Sequence, residues 1–436
     1  MSRDFQRTLA QAPLTPYTLT AIAVCVALNM LDGFDVLAMS FAASGVKADW
    51  HLLDRQLGAL LSAGLVGMGL GSLTLGPCAD RWGRRTIILL SLLLATLGML
   101  GSAAARGYLD LLVLRVLTGV GVGGTIASVA VIVCEYAPDR WRGTALAVYA
   151  TGYSIGATIG GALAAYAIPH YGWRSAFAIG GMLSLLLLPL GWRRLPESLD
   201  FLLTRRPPSA LQRVNALLQA MGRPAITVLP ESAATAAKAG HGSVRGQLAL
   251  LMKASTFLVW VVFFCTMAGF YFIVSWTPRL LNAAGLSASQ GMTGGVLLNL
   301  GGIAGCGLFA FAAVRTDVHR LLFGALVGSA VLIAGFGLTM IRLDVALWTA
   351  LLLGIMANAA MAGLYAVGPP LYPTAVRATG MGWAIGIGRF GAILAPLASG
   401  MLLDCGWAPA QLYFLFSAPF AIAAVAMLLI GPSRKQ

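Results

Sequence analysis

Twelve long apolar segments constrain this chain more than any other feature of its sequence. Each runs for about 20 residues or more, the length that an α-helix needs to cross the roughly 30 Å hydrocarbon core of a bilayer. The segments lie at about 17–42, 56–77, 86–105, 108–134, 144–168, 174–192, 254–281, 288–312, 320–341, 344–369, 379–402 and 410–431. Apolar residues make up 58% of the chain and charged residues only 10%, outside the usual range of water-soluble globular proteins. The sequence therefore predicts an all-α, polytopic membrane protein.

The twelve segments fall into two sets of six. A polar stretch rich in Arg, Pro, Ala and Ser separates them, so we predict a first half over 1–192, a linker over 193–253 and a second half over 254–436. Within the linker, "SLDFLLTR" and "ALQRVNALLQAM" are candidates for short surface helices. The predicted fold is twelve transmembrane helices in two six-helix, pseudo-symmetric halves.

Basic residues predict how the chain is oriented in the membrane. The formal net charge is +14, and most of the 29 Lys and Arg residues lie in short loops between apolar segments. If both termini and the linker are cytoplasmic, the basic excess falls on the cytoplasmic side, as is usual for membrane proteins. Topology thus explains the charge, so we expect contacts with the lipid bilayer and none with nucleic acid. The polar first 13 residues contain no small-residue cleavage site, so we expect the first helix to be retained.

The two halves share a sequence repeat. After the fourth and tenth segments the chain reads "EYAPDRWRG" and "LYPTAVRATG". Each contains Tyr, then Pro, then Arg four positions beyond the Pro, namely Pro138 with Arg142 and Pro373 with Arg377. Internal repeats with a binding site at their interface are typical of secondary transporters.

Two acids and an arginine lie inside apolar segments of the first half. Asp32 and Asp35 fall in "LNMLDGFDVLAM" of the first segment, and Arg115 falls in the fourth. A carboxylate in the bilayer core is unfavourable unless it is paired, hydrated or protonated. The i,i+3 spacing places both acids on one helix face, and the helix rise places all three residues in the outer half of the membrane. In the repeat, Ala268 and Tyr271 of the second half match Asp32 and Asp35, so these acids occur in the first half alone.

We therefore predict that at least one of these acids is a proton-binding group restrained by Arg115, and Asp32 is the first choice because it lies deeper. Two other interpretations remain open. One acid forms a structural ion pair with Arg115, or Asp35 reaches the water at the outer face.

Arg389 lies near the middle of the eleventh segment. An arginine at that depth should face protein or a hydrated cavity, and its planar guanidinium suits bidentate binding of a carboxylate. The alternative is a fixed pairing with a protein acid or carbonyl. Other second-half residues suited to flank a ring and its hydroxyl groups are Phe270, Tyr271, Trp276, Tyr365, Trp383, Asn299 and Asn358. Any single aromatic among them is more often a packing residue.

The loop after the second segment reads "GPCADRWGRR", from Gly76 to Arg85. Gly76 and Gly83 allow tight turns, and Asp80 can accept hydrogen bonds from a helix N-terminus or an arginine. In this position, between the second and third helices of a six-plus-six protein, the loop resembles the signature loop of the major facilitator superfamily. The helix count, the linker and the repeat extend that resemblance over the whole chain.

The resemblance implies a role for a set of charged residues on the cytoplasmic side. Asp80 with Arg81, Arg84 and Arg85 would latch the two halves together, and Glu135 and Arg142 would belong to the same charge cluster. The plain alternative is that these charges only fix the topology. The second-half counterpart, "FAAVRTDVHR", keeps Arg315 and Asp317 but lacks the full motif, so an equal latch there is not expected.

Three stretches carry a narrower resemblance: "LDGFD", "RVLTGVGVGG" and "YPTAVRATGMGWAIGIGRFGAILAP". Together they resemble the aromatic acid:proton symporter branch, the benzoate and 4-hydroxybenzoate type of transporter. That resemblance implies import of a small aromatic carboxylate with protons across a bacterial inner membrane. "GVGVGG", Gly119 to Gly124, superficially matches a dinucleotide loop, but no strand precedes it, so we expect close helix packing there instead.

The sequence thus predicts a proton-coupled symporter that works by alternating access, without enzymatic activity, cofactor or metal, and as a monomer. The alternatives are a porter of the same fold for a sugar, a dicarboxylate or a drug, and a membrane sensor that binds ligand without transporting it.

Overall fold

The computed structural model describes residues 15–229, 254–340, 342–372 and 377–430. These residues form 14 helices and one short 3-10 turn, and no β-strand occurs among them. Twelve of the helices are long and apolar enough to cross a membrane. The first six spans are α1 (Pro16–Trp50), α2 (Asp54–Trp82), α3 (Arg84–Ala103), α4 (Tyr108–Tyr136), α5 (Asp139–Tyr171) and α6 (Arg174–Arg194). Two short helices follow, α7 (Leu199–Arg205) and α8 (Ala210–Ala220). The last six spans are α9 (Ala254–Ala283), α10 (Ala288–Ala313), α11 (Val318–Thr339), α12 (Leu343–Val367), α13 (Arg377–Asp404) and α14 (Pro409–Ile430).

The predicted fold is confirmed: the protein is an all-α, multi-pass membrane protein with two sets of six spans. Helices are expected because the bilayer core offers no water to backbone N–H and C=O groups, which a helix satisfies internally. The two predicted surface helices are also confirmed, as α7 and α8. The boundaries predicted at 192 and 253 stay predictions, since α6 continues to Arg194 and residues 230–253 lie outside the described chain.

Helix ends follow local sequence signals. Thr15 and Thr18 form a capping box at the start of α1, and Pro16 occupies the first helical position, where no N–H is needed. Asp317 caps α11, since its carboxylate accepts hydrogen bonds from the backbone N–H groups of His319 at 2.8 Å and Arg320 at 3.3 Å. These bonds, with that from Arg320 the larger influence, lower the pKa of Asp317 below its usual 3.8.

Glycines allow the closest helix contacts in each half. A Cβ atom at Gly119 of α4 would lie 2.9 Å from Cα of Gly67 of α2, so these two backbones touch directly. In the second half a Cβ at Gly305 of α10 would lie 2.9 Å from Cα of Ile355 of α12. The glycine-rich stretch of α4 therefore serves helix packing, as predicted.

The helix bundle has two ends, and we name each by its position relative to the linker. The linker end holds the α2–α3 and α4–α5 connections together with α7 and α8, and the opposite end is the far end. Leu199 and Leu203 of α7 and Val214 of α8 pack in one apolar cluster with Ile22 and Val133 of the first half. The linker helices therefore rest on the first half. Of the repeat at the linker end, Pro373 and the Arg377 side chain lie outside the described residues.

The two halves meet at the far end. Asp404 of α13 accepts hydrogen bonds from the backbone N–H groups of Asp54 at 2.8 Å and Arg55 at 3.1 Å, at the start of α2. Asn282 of α9 donates to Ser44 of α1 at 2.8 Å. A carboxylate at a helix N-terminus is favoured by the unpaired N–H groups and the helix dipole. These contacts hold the first and second halves together at the far end.

Candidate functional site

The candidate site lies between the halves, where α1 and α5 of the first half face α9 and α13 of the second. Asp32 and Asp35 belong to α1, Tyr271 to α9 and Arg389 to α13. Asp32 and Asp35 are 5% and 3% exposed, and Tyr271 is 8% exposed. Charged groups from the first half and polar groups from the second thus lie in the protein interior at membrane depth.

Asp35 of α1 and Arg115 of α4 line one narrow cavity. This agrees with the prediction that the two residues lie at a similar depth in the membrane. The cavity encloses an empty volume of about 350 Å³ and is bordered by Met39, Thr118 and Gly119 as well. A Cβ atom at Gly180 of α6 would lie 3.2 Å from Asp35 Oδ1, so glycine leaves room there for the carboxylate.

Neutral groups hold the Arg115 guanidinium. Its Nη2 donates to Thr118 Oγ1 at 2.9 Å and to Ser102 Oγ at 3.0 Å, and it contacts Met99 Sδ at 3.0 Å. Its Cζ lies 4.6 Å from the ring centroid of Phe177, a cation–π contact. These partners orient the guanidinium without neutralising it.

Neither acid of α1 forms a direct ion pair with Arg115 in this structure. Throughout the described chain, no carboxylate oxygen comes within 4.0 Å of the Arg115 nitrogens. Asp35 Oδ1 and Asp32 Oδ2 are both enclosed and have no hydrogen-bond partner among the described groups. A buried carboxyl in that setting is expected to exchange a proton or meet water or ligand, since an unpaired charge there is strongly unfavourable.

Two tyrosines of α5 interact electrostatically with Asp32, and neither was predicted from the sequence. Asp32 is near Tyr149 and Tyr153, and Tyr153 is in turn near Arg389 and Tyr271 of the second half. The Tyr153 hydroxyl is enclosed and has no partner among the described atoms. Gly33, next to Asp32, allows this approach, because the carbonyl of Tyr153 occupies the space that a Cβ would fill. Tyr153 therefore interacts electrostatically with residues of both the predicted proton site and the predicted substrate site.

Arg389 interacts with three tyrosines. Its Nη1 donates to Tyr271 Oη at 3.4 Å, and Tyr365 and Tyr153 also lie close to the guanidinium. No carboxylate is paired with Arg389 in the described residues, so the fixed ion pair considered above is not formed. The arrangement leaves a cation with hydroxyl neighbours facing the first half.

The other predicted substrate residues are placed in different ways. Phe270 is 7% exposed and packs edge-to-face on Tyr271, with ring centroids 5.5 Å apart. Trp276 is completely buried, and its indole N–H donates to the Pro396 carbonyl at 3.1 Å, so it joins α9 to α13 instead of lining open space. Trp383 is 58% exposed and lies 6.1 Å from Trp260, centroid to centroid.

The two asparagines bond within their own helices. Asn299 donates to the Gly295 carbonyl at 2.9 Å, and Asn358 donates to the Gly354 carbonyl at 3.0 Å. Both are buried. The side-chain oxygen of each has no hydrogen-bond donor among the described residues.

The charge cluster at the linker end centres on Arg84 and Glu135. Their ion pair is partly buried, with both side chains 15% exposed. Glu135 also accepts from Ser198 Oγ at 2.9 Å and from the Leu199 N–H at 2.8 Å. Glu197 accepts from the Arg85 N–H at 3.0 Å. The cluster thus fastens α3 and α4 to the start of α7, and the linker residues of this set were not foreseen from the sequence.

The other predicted residues of the linker-end charge cluster lie around the Arg84–Glu135 ion pair, at the protein surface or within α2. Asp80 is 68% exposed and 3.6 Å from Arg84, and Arg142 pairs with Asp139 at 2.6 Å. Gly83 has φ of +97° and joins α2 to α3, while Gly76 lies within α2 and Arg81 is exposed. Every described partner of the cluster belongs to the first half or to the first residues of the linker. Among the described residues Asp80 and the loop arginines make no contact with the second half, so the predicted latch between the halves stays a prediction.

Twelve spans in two joined halves, with a buried charged site between them, define the class of membrane transporters. A sequence model of the Major Facilitator Superfamily matches residues 22–396, and the chain belongs to that superfamily. The predicted resemblance to its aromatic-acid branch is confirmed by curated relatives.

Three of these relatives align over nearly their whole length. The chain is 34% identical to the gallate transporter of Pseudomonas putida, covering 99% of this chain and 96% of the relative. It is 33% identical to the 4-hydroxybenzoate transporter PcaK of Pseudomonas aeruginosa, covering 98% and 96%. It is 27% identical to the benzoate transport protein of Acinetobacter baylyi, covering 100% and 94%.

Solved structures agree with the fold. A partially occluded inward open structure of the xylose transporter XylE from E. coli superposes with a TM-score of 0.76 at 16% sequence identity. The match covers 97% of this chain and 100% of XylE. At that identity the likeness concerns the fold alone.

Proposed function

We propose that this protein is a proton-coupled symporter that imports a small aromatic carboxylate by alternating access. The observation that carries the proposal is the placement of Arg389, with the Tyr271 hydroxyl at 3.4 Å, opposite two buried acids that have no ionic partner among the described residues. The transport of gallate, 4-hydroxybenzoate and benzoate by relatives supports an aromatic acid as the substrate.

On the substrate side, Arg389 binds the carboxylate through its planar guanidinium. Tyr271 and Tyr365 present hydroxyls around it, and Phe270 supplies a ring face. Asn299 and Asn358 offer acceptors for ring hydroxyls. We leave Trp276 out of the direct contacts because its indole is committed to Pro396, and we assign Trp383 to the approach from the linker end because it is exposed.

On the proton side, Asp32 is the coupling residue, and Asp35 shares its cavity with the charge of Arg115 without a direct ion pair. Tyr153 connects the two sites, since it lies near both Asp32 and Arg389. A substrate carboxylate on Arg389 changes the field at Tyr153 and so the preference of Asp32 for its proton. This arrangement supplies a coupling between two ligands, which must be reciprocal.

Proton coupling also follows from the energetics of importing an anion. Each negative charge moved inward against a membrane potential of 100 mV costs about 2.3 kcal/mol. One proton for each monoanion removes this cost, and any further proton drives accumulation.

The transport cycle needs two gates. In the state described here the far end is joined through Asp404, and we place that end outside and the linker end, with both termini, in the cytoplasm. We propose that the charge cluster at the linker end is the cytoplasmic gate. In the state described here it stabilises the first half. In the opposite state, Asp80 and the exposed Arg81 would contact the second half. One chain supplies both sides of the site, so a monomer suffices.

Uptake by reconstituted protein tests the proposal. Proteoliposomes with an alkaline interior are given labelled gallate, 4-hydroxybenzoate or benzoate, with xylose and succinate as competing substrate classes. We expect accumulation of at least one aromatic acid, collapse of that accumulation by a protonophore, and counterflow that persists without a pH gradient.

Three results would overturn parts of the proposal. Uptake of xylose or succinate in preference to every aromatic acid removes the substrate assignment. Aromatic-acid uptake that ignores the pH gradient removes proton coupling. Binding of an aromatic acid without counterflow points to a sensor instead of a transporter.

A further inference from the structure

A groove at the linker end is lined by four arginines, three of which have no role in the proposed transport mechanism. It lies where α3 and α6 meet α8 and the start of α1, and it encloses about 1570 Å³. Arg85, Arg193, Arg194 and Arg213 line its polar part. The groove is separate from the buried site between the halves, and its charge calls for an anionic ligand.

The groove has an unbalanced positive charge. The side chains of Arg193, Arg194 and Arg213 form no ion pair or hydrogen bond within the described residues. Among the described residues Glu197 is the one acid on the groove wall, and its carboxylate already accepts from the backbone N–H groups of Arg85 at 3.0 Å and Ser198 at 2.9 Å. The ligand must therefore bring its own negative charge.

Arg85 adds a buried donor at the inner wall. One of its terminal nitrogens donates to the Trp192 carbonyl, while its Nε is enclosed and has no partner among the described groups. Because Arg85 forms no ion pair among the described residues, its guanidinium adds to the positive charge of the groove.

The groove continues into an apolar surface along α3. Leu89, Leu90 and Leu93 line it, and Leu90 and Leu93 are 37% and 42% exposed on a membrane-spanning helix. Leu93 is two turns from Arg85, so the apolar wall extends roughly 12 Å into the bilayer from the arginines. A charged head with an attached apolar chain matches this shape, whereas a free anion leaves the apolar wall uncovered.

We propose that this groove binds one anionic phospholipid, with its phosphate on the arginines and an acyl chain along Leu89, Leu90 and Leu93. Arg193 and Arg194 end α6, and Arg213 belongs to α8, so one headgroup bridges a membrane span and the linker. The bound lipid thereby holds the linker helices on the first half. The inference does not depend on the identity of the transported substrate.

Native mass spectrometry on the full chain tests the site. The protein is released from phosphatidylcholine nanodiscs that contain a minority of phosphatidylglycerol, and retained phosphatidylglycerol is counted per chain. The groove variant is Arg193→Gln, Arg194→Gln and Arg213→Gln together. The control variant is Arg140→Gln, Arg315→Gln and Arg320→Gln, which removes the same charge at the same end but outside the groove.

We expect the wild type and the control to retain one phosphatidylglycerol, and the groove variant to bind it on the order of a hundredfold more weakly. Arg213→Gln alone should weaken binding about fivefold, which keeps the test available if the triple variant folds poorly. Glycerol 1-phosphate should not displace the lipid, because it lacks the acyl chain.

The opposite outcomes overturn the proposal. Equal retention by the groove variant shows that the arginines do not hold the headgroup. Equal loss from both triple variants shows a general attraction to the membrane surface. Displacement by glycerol 1-phosphate shows a site for a free anion.

Discussion

Replacing Asp404 by alanine should open the far end of the transporter. The Asp404 carboxylate accepts two backbone hydrogen bonds at the start of α2, from Asp54 at 2.8 Å and Arg55 at 3.1 Å. It also lies 3.8 Å from Arg55 Nε. All three contacts cross between the halves, so Asp404→Ala removes them only from the state that is closed at the far end.

The size of the effect follows from the exposure of these groups. Hydrogen bonds to a charged group contribute about 1.5–3 kcal/mol when buried, and loss of an N-terminal helix cap costs about 0.5–2 kcal/mol. The Asp404 side chain is 23% exposed, so water replaces part of what is lost, and the exposed Arg55 contact adds little. We expect a loss of about 1–2 kcal/mol, which shifts the closed-to-open ratio by roughly 5- to 30-fold.

Distances between spin labels at the far end measure this shift. Labels at Tyr171 of the first half and Arg342 of the second, both replaced by Cys in a Cys405→Ser background, lie on exposed residues of opposite halves. Asp110→Ala is the matched control, since it removes an acid at the same end whose one described hydrogen bond, from the Arg106 N–H at 3.4 Å, stays within the first half.

In Asp404→Ala the long-distance population should grow, while Asp110→Ala should match the parent protein. An unchanged distance distribution in Asp404→Ala, or equal opening in both variants, would refute the assignment of Asp404 as the far-end latch.

Four further predictions use the same structure. Arg389→Lys should weaken binding of the aromatic acid at least tenfold, measured by isothermal titration, because a lysine keeps the charge but loses the planar guanidinium. Asp32→Asn should abolish pH-driven uptake but keep counterflow, because the neutral side chain releases no proton. Glu135→Gln should destabilise the protein by about 1–3 kcal/mol and Asp80→Asn by less than about 1 kcal/mol, seen as a larger fall in melting temperature, because only the Glu135 ion pair is largely buried. The lowered pKa of Asp317 means that its stabilising effect is complete above pH 3.8 and is lost as the pH falls through the lowered value, so the melting-temperature difference from Asp317→Ala should shrink in acid.

Controls for these variants come from the same chain. Arg320→Lys is an exposed counterpart for Arg389→Lys, and Asp49→Asn is an exposed counterpart for Asp32→Asn on the same helix. Normal binding in Arg389→Lys would remove that residue from the substrate site. Full pH-driven accumulation in both Asp32→Asn and Asp35→Asn would exclude each as the coupling residue. An Asp80→Asn effect equal to that of Glu135→Gln, or a melting difference for Asp317→Ala that persists in acid, would contradict the other two predictions.

The sequence by itself determined the helices, the two halves and the family. A bilayer forces each long apolar segment into a helix, so segment length and polarity alone predict twelve spans. Glycine spacing in α4 predicts close packing because it depends only on residues of one helix face. A charged residue in an apolar segment can be recognised without knowledge of its neighbours. The sequence therefore singled out Asp32, Asp35, Arg115 and Arg389.

Only the tertiary structure decided which of these residues meet. Nothing in the sequence distinguishes Tyr153 from other aromatic residues. It becomes a candidate site residue only because α5 crosses α1 at Gly33 and Tyr153 interacts with Arg389. Trp276 has an aromatic side chain suited to a substrate contact, but the packing of α9 on α13 encloses it. Glu197 and Ser198 belong to the linker, and their return to Arg85 and Glu135 depends on where α7 rests. Helix formation is local and set by the solvent, whereas contacts between helices depend on rotation and crossing that no single segment specifies.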